Sequence, residues 1–253
     1  MLRFWESGEI KDLREIVVFL HRYLSNLSQL ERKTTPELFA VTRFLVEENI
    51  DIYESIITLR KKGRFLPCLT LARSLLENSI NLQYIYQKDT EQRARNFYHY
   101  PLREYVMRTE SLPNISELQA KLLRKMQEEL KSHKPAGKRR HHWDGKSISE
   151  IFSELDLKDT HAPLYSRLSG FTHAQFGNRD FLQDRPYINF LKTVATKEVF
   201  VSVLESLRVV TEHFDLEPDV VRIEDFPKEG STLLFSTHPK KSEKEMEVMW
   251  KRP

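Results

Sequence analysis

The chain has 253 residues, with 40 Lys and Arg against 37 Asp and Glu, for a formal net charge of +3. It carries only seven glycines, far below the roughly 7% of an average chain, and no pair is spaced for a dinucleotide fingerprint or a Gly-Lys-Ser/Thr phosphate loop. All-β and doubly wound α/β folds need the tight turns that glycine supplies, so the composition points to an all-α bundle of long helices, and the near-balanced charge confines any nucleic-acid surface to a local patch.

The first helix is expected from about Glu9 to Glu31, where Ile10, Leu13, Val17, Leu20, Leu24 and Leu27 recur at three- and four-residue steps. Thr35-Pro36 starts a second, with Pro at the first helical position and Glu37 after it. Its stripe is Leu38, Val41, Leu45, Ile52, Ile56 and Leu59, and Gly63 stops it just after Lys62. The third runs from about Phe65 to Gln87. Its apolar residues point around most of the circumference, which marks a central, buried helix. A fourth, from about Thr90 to Glu110, carries Pro101, which is expected to kink or split it. Ile115 to about Ser132 reads as a more polar, peripheral helix.

The character then changes. Lys131 to Lys146 is KSHKPAGKRRHHWDGK, a basic loop with three His and two Gly. Ser147-Ile-Ser-Glu150 reads as a capping box opening a short helix to Leu155. Another short helix is expected over Pro163 to Ala174, and a long one from about Pro186 to Phe214. Residues 1–215 thus read as one helical bundle domain, and 216–253, rich in Pro and charge, as a C-terminal extension.

Fifteen Phe, nine Tyr and three Trp supply a core. The longest uninterrupted apolar run is Ile16 to Leu20, against the 18 or so residues of a membrane span, and no signal peptide is recognisable. No membrane association is expected. Cys68 is the only cysteine. It excludes an intrachain disulfide and a thiolate zinc site, lies in an apolar run as a buried structural thiol would, and fits a reducing, cytoplasmic setting.

Chemistry has three places to sit. Arg73 and Glu77 are four apart in the otherwise core-like third helix and share a face. The order Arg-then-Glu opposes the usual helix-supporting order, so the pair is either a polar site in the bundle core or the solvent-facing strip of that helix. Arg167 and His173 bracket Ser169 in the late short helix. An arginine can hold a phosphate bidentately and a histidine can move a proton near neutral pH, a combination suited to metal-independent phosphodiester cleavage with a ribose hydroxyl as nucleophile. A hydrogen-bonded structural histidine is the alternative. Third, Lys138, Arg139 and Arg140 of the basic loop can contact phosphates, with Trp143 stacking on a base, or the loop is simply a solvated one. The stretch Arg93 to Arg103 interleaves Arg with aromatics, which suits nucleic acid and equally suits a helix turning its rings inward and its arginines outward. No metal or cofactor is called for: the histidines of the loop lack a ligand pattern, and HExxH and G-x-S-x-G are absent.

Arg73-Ser-Leu-Leu-Glu77, Leu82-Gln-Tyr-Ile85, Arg95-Asn-Phe-Tyr-His-Tyr100, His142-Trp-Asp-Gly-Lys-Ser147 and Tyr165-Ser-Arg-Leu-Ser169 with His173 occur in an order that resembles the prokaryotic helical family named domain of unknown function 5677, over roughly residues 36 to 215. A looser resemblance is to the HEPN (higher eukaryotes and prokaryotes nucleotide-binding) superfamily. Its members are helical bundles, often dimeric, and many are metal-independent ribonucleases of toxin and phage-defence systems. Their signature, an Arg followed after four to six residues by a His, is met by Arg167 and His173, although the residue after the Arg is usually polar in active members and is Leu168 here. That resemblance implies that Arg167 orients the scissile phosphate, that His173 handles the proton, and that Glu77 or Arg73 lines the same cleft. It also implies RNA, a second copy of the chain and an antitoxin-like protein as partners. The reading that competes with it is a non-catalytic interaction module, in which Arg73, Glu77, Ser169 and His173 form a buried network fixing helix register.

Overall fold

The structure, a computed structural model, describes residues 14, 17–27, 31–131, 143–159, 161–172 and 199–214. Within these residues the fold is all-α. The helices are α1 (residues 17–27), α2 (Pro36–Lys61), α3 (Phe65–Gln87), α4 (Thr90–Glu110), α5 (Glu117–Lys131), α6 (Ile148–Glu154), α7 (His161–Thr172) and α8 (Val199–His213).

Local chemistry accounts for the boundaries. Pro36 opens α2 after an extended Thr35, with Glu37 in the first turn. At the other end Gly63 takes a φ of +66°. Its N–H bonds the Arg60 carbonyl at 2.9 Å while the Arg64 N–H reaches back to Leu59 at 2.8 Å. This is a Schellman closure, and the left-handed residue it requires is why glycine stands there. Ser147 and Glu150 cap α6 reciprocally, and Ser116 and Gln119 do the same for α5. Helix α4 is continuous across Pro101, so the expected split does not occur. Only Leu123 of α5 is buried, in keeping with a peripheral helix.

Helix α3 is the axis of the bundle. It packs against α2, α4, α6, α7 and α8, and its buried residues lie on every side: Cys68, Leu69, Ala72, Leu75, Leu76, Ile80, Leu82, Tyr84 and Ile85 among them. A helix with this many partners needs apolar contact all round, the pattern that its sequence shows. The Cys68 thiol is buried and bonds the Arg64 carbonyl at 3.2 Å. Burial pushes its pKa up, as for an unreactive core thiol. Helices α1 and α8 close one side, where the Tyr23 hydroxyl donates to the Leu207 carbonyl at 3.2 Å.

Contacts at both ends of the α6–α7 segment fix the course of α7. Gln87, at the end of α3, donates to the Glu154 carbonyl at the end of α6 at 2.6 Å. Eleven residues on, Tyr165 of α7 touches Arg73 and Glu77 in the middle of α3. The chain therefore travels back along α3 toward its N-terminal half.

Candidate functional site

Arg73, Glu77 and Tyr165 form a closed ring of hydrogen bonds across the α3–α7 seam. One Arg73 terminal nitrogen, Nη2, donates to Glu77 Oε1 and to the Tyr165 hydroxyl, both at 2.8 Å, and that hydroxyl donates to the same Glu77 oxygen at 2.7 Å. The Arg73 guanidinium also lies 5.1 Å from the Tyr165 ring centroid. The side chains of Arg73 and Glu77 are 20% and 32% exposed, so the pair is neither sealed in the core nor an open surface pair. Helix spacing dictates the encounter: Arg73 and Glu77 are one turn apart, and Tyr165 enters from the helix seated against them.

The electrostatics favour a protonated phenol and a charged guanidinium. Burial raises the Tyr165 pKa; Arg73 works against that rise and Glu77 adds to it. The phenol is thus a donor at neutral pH. For Arg73, burial disfavours the charge, but the bond to Tyr165 and the field of Glu77 outweigh it and raise the pKa. Ser169, one turn beyond Tyr165 on the same face of α7, has a buried Oγ, and neither it nor the buried Arg73 Nε has a hydrogen-bond partner among the described residues.

Arg167 stands elsewhere. Two residues after Tyr165, it leaves the helix roughly 200° around from it, on the exposed side of α7. Leu164 and Leu168, on the arc of the helix between Arg167 and Tyr165, are seated in the core. Leu168, the residue after Arg167, is 0% exposed, so this position is a packing anchor. The structure thus brings Arg73 and Glu77 together with Tyr165, sets Ser169 on the same face of α7, and leaves Arg167 outside that cluster. His173, Lys138, Arg139 and Arg140 lie outside the described residues.

Trp143 requires a correction. The ring expected to stack on a nucleic-acid base is 4% exposed. It makes edge contacts with Tyr84 and Phe97 at centroid distances of 5.5 and 5.3 Å and donates from Nε1 to Asn81 Oδ1 at 3.0 Å. A buried indole needs such a partner for its N–H, and Asn81 of α3 supplies it. The ring has no free face to offer a base.

Trp143 is one end of a second polar cluster, which fastens the Trp-Asp-Gly-Lys-Ser segment to the bundle. Tyr84 Oη donates to Asp144 at 2.7 Å and accepts from Lys146 at 2.7 Å. Asn96 donates to the other Asp144 oxygen at 3.1 Å, and Arg103 to the Trp143 carbonyl at 3.2 Å. Lys146 pairs with Glu154, which Arg93 also approaches at 3.4 Å. Arg93 is buried, with its guanidinium 3.5 Å from the Tyr84 ring centroid and a bond to the Tyr84 carbonyl. Of the two readings of this stretch, rings inward and arginines outward holds in part: Phe97 and Tyr100 pack against the core, whereas Arg93 is buried and Tyr98 exposed. Burial, helped by Asp144, pushes the Tyr84 pKa up to about 12. Lys146 lowers the pKa of Glu154. No spacing rule announces this cluster, because its members come from four segments. The one signal in the sequence was the Trp-Asp-Gly-Lys-Ser element itself.

Among the described residues no group of three or more His, Cys, Asp and Glu is placed to hold a metal ion, and no helix is long and apolar enough to cross a membrane. No curated protein and no solved structure matches the chain. Residues 39–186 match the family described as "Family of unknown function (DUF5677)". That span holds α3 with Arg73 and Glu77, the Trp143–Ser147 clasp, and α7 with Tyr165 and Arg167. On the strength of a match that covers more than half of its length, the chain belongs to the DUF5677 family.

Proposed function

We propose that this protein is a HEPN-like RNA-binding protein that cleaves RNA without a metal ion, in a defence or toxin setting. The observation that supports this reading is the seat of α7: Leu164 and Leu168 are buried and anchor the helix, while Arg167, on the flank of that face turned away from Tyr165, is exposed. A guanidinium held on a fixed helix and open to solvent is suited to receive a phosphodiester. His173 follows six residues later in the sequence, and an imidazole titrating near neutrality can take the proton of a ribose 2′-hydroxyl as its oxygen attacks phosphorus. The 5′-oxygen then leaves and is protonated by an acid or by water. In this reading Arg73, Glu77, Tyr165 and Ser169 act by fixing α7 on α3, and Lys138, Arg139 and Arg140 add phosphate contacts. Because Arg167 faces outward, a second copy of the chain is the partner best suited to enclose a substrate, and an antitoxin-like protein covering the same face would silence it. Arg167→Ala and His173→Ala should each lose RNA cleavage measured in chelator, with unchanged helical circular dichroism and melting temperature.

The second reading, a non-catalytic interaction module, is favoured by the closure of the Arg73–Glu77–Tyr165 ring on itself. It expects the network to matter for stability alone, with no nuclease activity in the parent protein.

A further inference from the structure

From Ser55 to Leu76 the chain carries five cations, Arg60, Lys61, Lys62, Arg64 and Arg73, and no carboxylate. Three of them converge on the α2–α3 turn. Lys61, Lys62 and Arg64 are exposed, and none is ion-paired among the described residues, whereas other surface cations do pair, Arg43 with Glu47 and Arg208 with Glu205 and Glu212. Helix support explains part of this group. Arg60 and Lys61 lie in the last turn of α2, where positive charge complements the helix dipole. It does not explain Arg64. That residue stands at the N-cap of α3, whose first turn holds no acid and which has no side-chain cap. A cation is unfavourable at that end of a helix. Space is open as well: a side chain placed at Gly63 would meet nothing within 4 Å. The turn therefore carries unneutralised charge at a cost to its own helix.

We propose that the α2–α3 turn, through Lys61, Lys62 and Arg64, is a docking surface for the phosphate backbone of single-stranded RNA. The proposal rests on the reading of the protein as RNA-binding and adds to it a contact surface separate from α7. Its position suits that role. α7 travels back along α3 toward this end of the helix, and Arg64 lies about 14 Å along α3 from Arg73 by helix rise. A strand engaged at the α7 face can continue to the turn. An acidic membrane is the less suitable partner, since among the described residues the exposed apolar side chains next to these cations in sequence are Leu66 and Pro67.

The test is fluorescence anisotropy with a labelled, unstructured RNA of about 20 nucleotides, titrated with the full chain across roughly 50 to 200 mM salt. The site variant is Lys61→Gln, Lys62→Gln and Arg64→Gln together. The control variant removes the same charge from α5, as Lys121→Gln, Lys125→Gln and Arg124→Gln. Three lost phosphate contacts should lower the magnitude of the log–log salt slope by about two and weaken binding roughly tenfold or more at physiological salt, while the control stays near the parent. Single Lys61→Gln and Lys62→Gln variants, each expected to remove about 0.7 from the slope, keep the test decisive if the triple variant is unstable. A parent that binds RNA while the site variant matches it, or loses no more than the control, overturns the docking surface and leaves the RNA reading standing. A parent that binds no RNA overturns both, as does site-dependent binding to phosphatidylserine vesicles in place of RNA.

Discussion

Trp143 and Glu77 each carry a prediction that separates packing from chemistry. Trp143 is wedged between Tyr84 and Phe97 with its N–H bonded to Asn81. Trp143→Ala should cost about 3–5 kcal/mol by the usual range for buried aromatics, read as a shifted urea midpoint. A midpoint unchanged within error would mean that the ring does not pack as described. Glu77 Oε1 accepts from both Arg73 and Tyr165. Glu77→Ala leaves a half-buried guanidinium and a phenol without their acceptor, a loss of about 1–3 kcal/mol, measurable by the same denaturation. If stability is untouched, the ring is not a register device. At this scale the sequence was only partly legible. Arg73 and Glu77 were readable because one helix places them one turn apart, and their reversed order marked them as unusual. Tyr165 was not assigned to that site, because a contact across 88 residues leaves no periodic trace. Trp143 was misread because a tryptophan inside a basic segment has the composition of a stacking platform, and nothing local says that Tyr84 and Asn81 wait on another helix.

Among the elements, α3 was the most legible, since a helix apolar on nearly all sides has to be central. The capping box of Ser147 and Glu150 and the closure at Gly63 were also readable, being set by residues three to five apart. Helix α4 was not. Its buried residues include Arg93, Asn96 and His99, and Arg93 and Asn96 engage the polar clasp beside Ala94 in the apolar core. Periodicity of apolar residues cannot report such a face. The clasp carries a pH prediction. The Lys146 hydrogen bond lowers the pKa of Glu154, against the opposing effect of burial. A carboxyl whose pKa is lower in the folded chain than in the unfolded one stabilises the fold above its unfolded value, about 4.3, and loses that contribution as pH falls through its folded value. Thermal melts should therefore show a stability loss below about pH 4. Glu154→Gln should make that loss shallower. An identical acid limb in the variant would show that the pair does not contribute.

For the whole molecule, fold class follows from composition, while the proposed activity rests on where one helix presents one arginine. Seven glycines in 253 residues left little besides helices, and the bundle around α3 is what results. It sets Arg73 and Glu77 into a seam, turns Arg167 outward on the far side of α7, and ends α2 in an unneutralised turn at Lys61, Lys62 and Arg64. In the proposed reading these exposed cations, Arg167 and the turn at Lys61, Lys62 and Arg64, are the groups that meet RNA. The most direct test is to incubate the purified chain in chelator with an RNA and with a DNA of the same sequence. The account predicts that the RNA is cut, leaving 2′,3′-cyclic phosphate ends, that the DNA, lacking the 2′-hydroxyl, stays whole, and that Arg167→Ala slows cleavage roughly a hundredfold or more, the scale of lost transition-state stabilisation. RNA left intact by a molar excess of protein, or cut by Arg167→Ala at the parent rate, would contradict it.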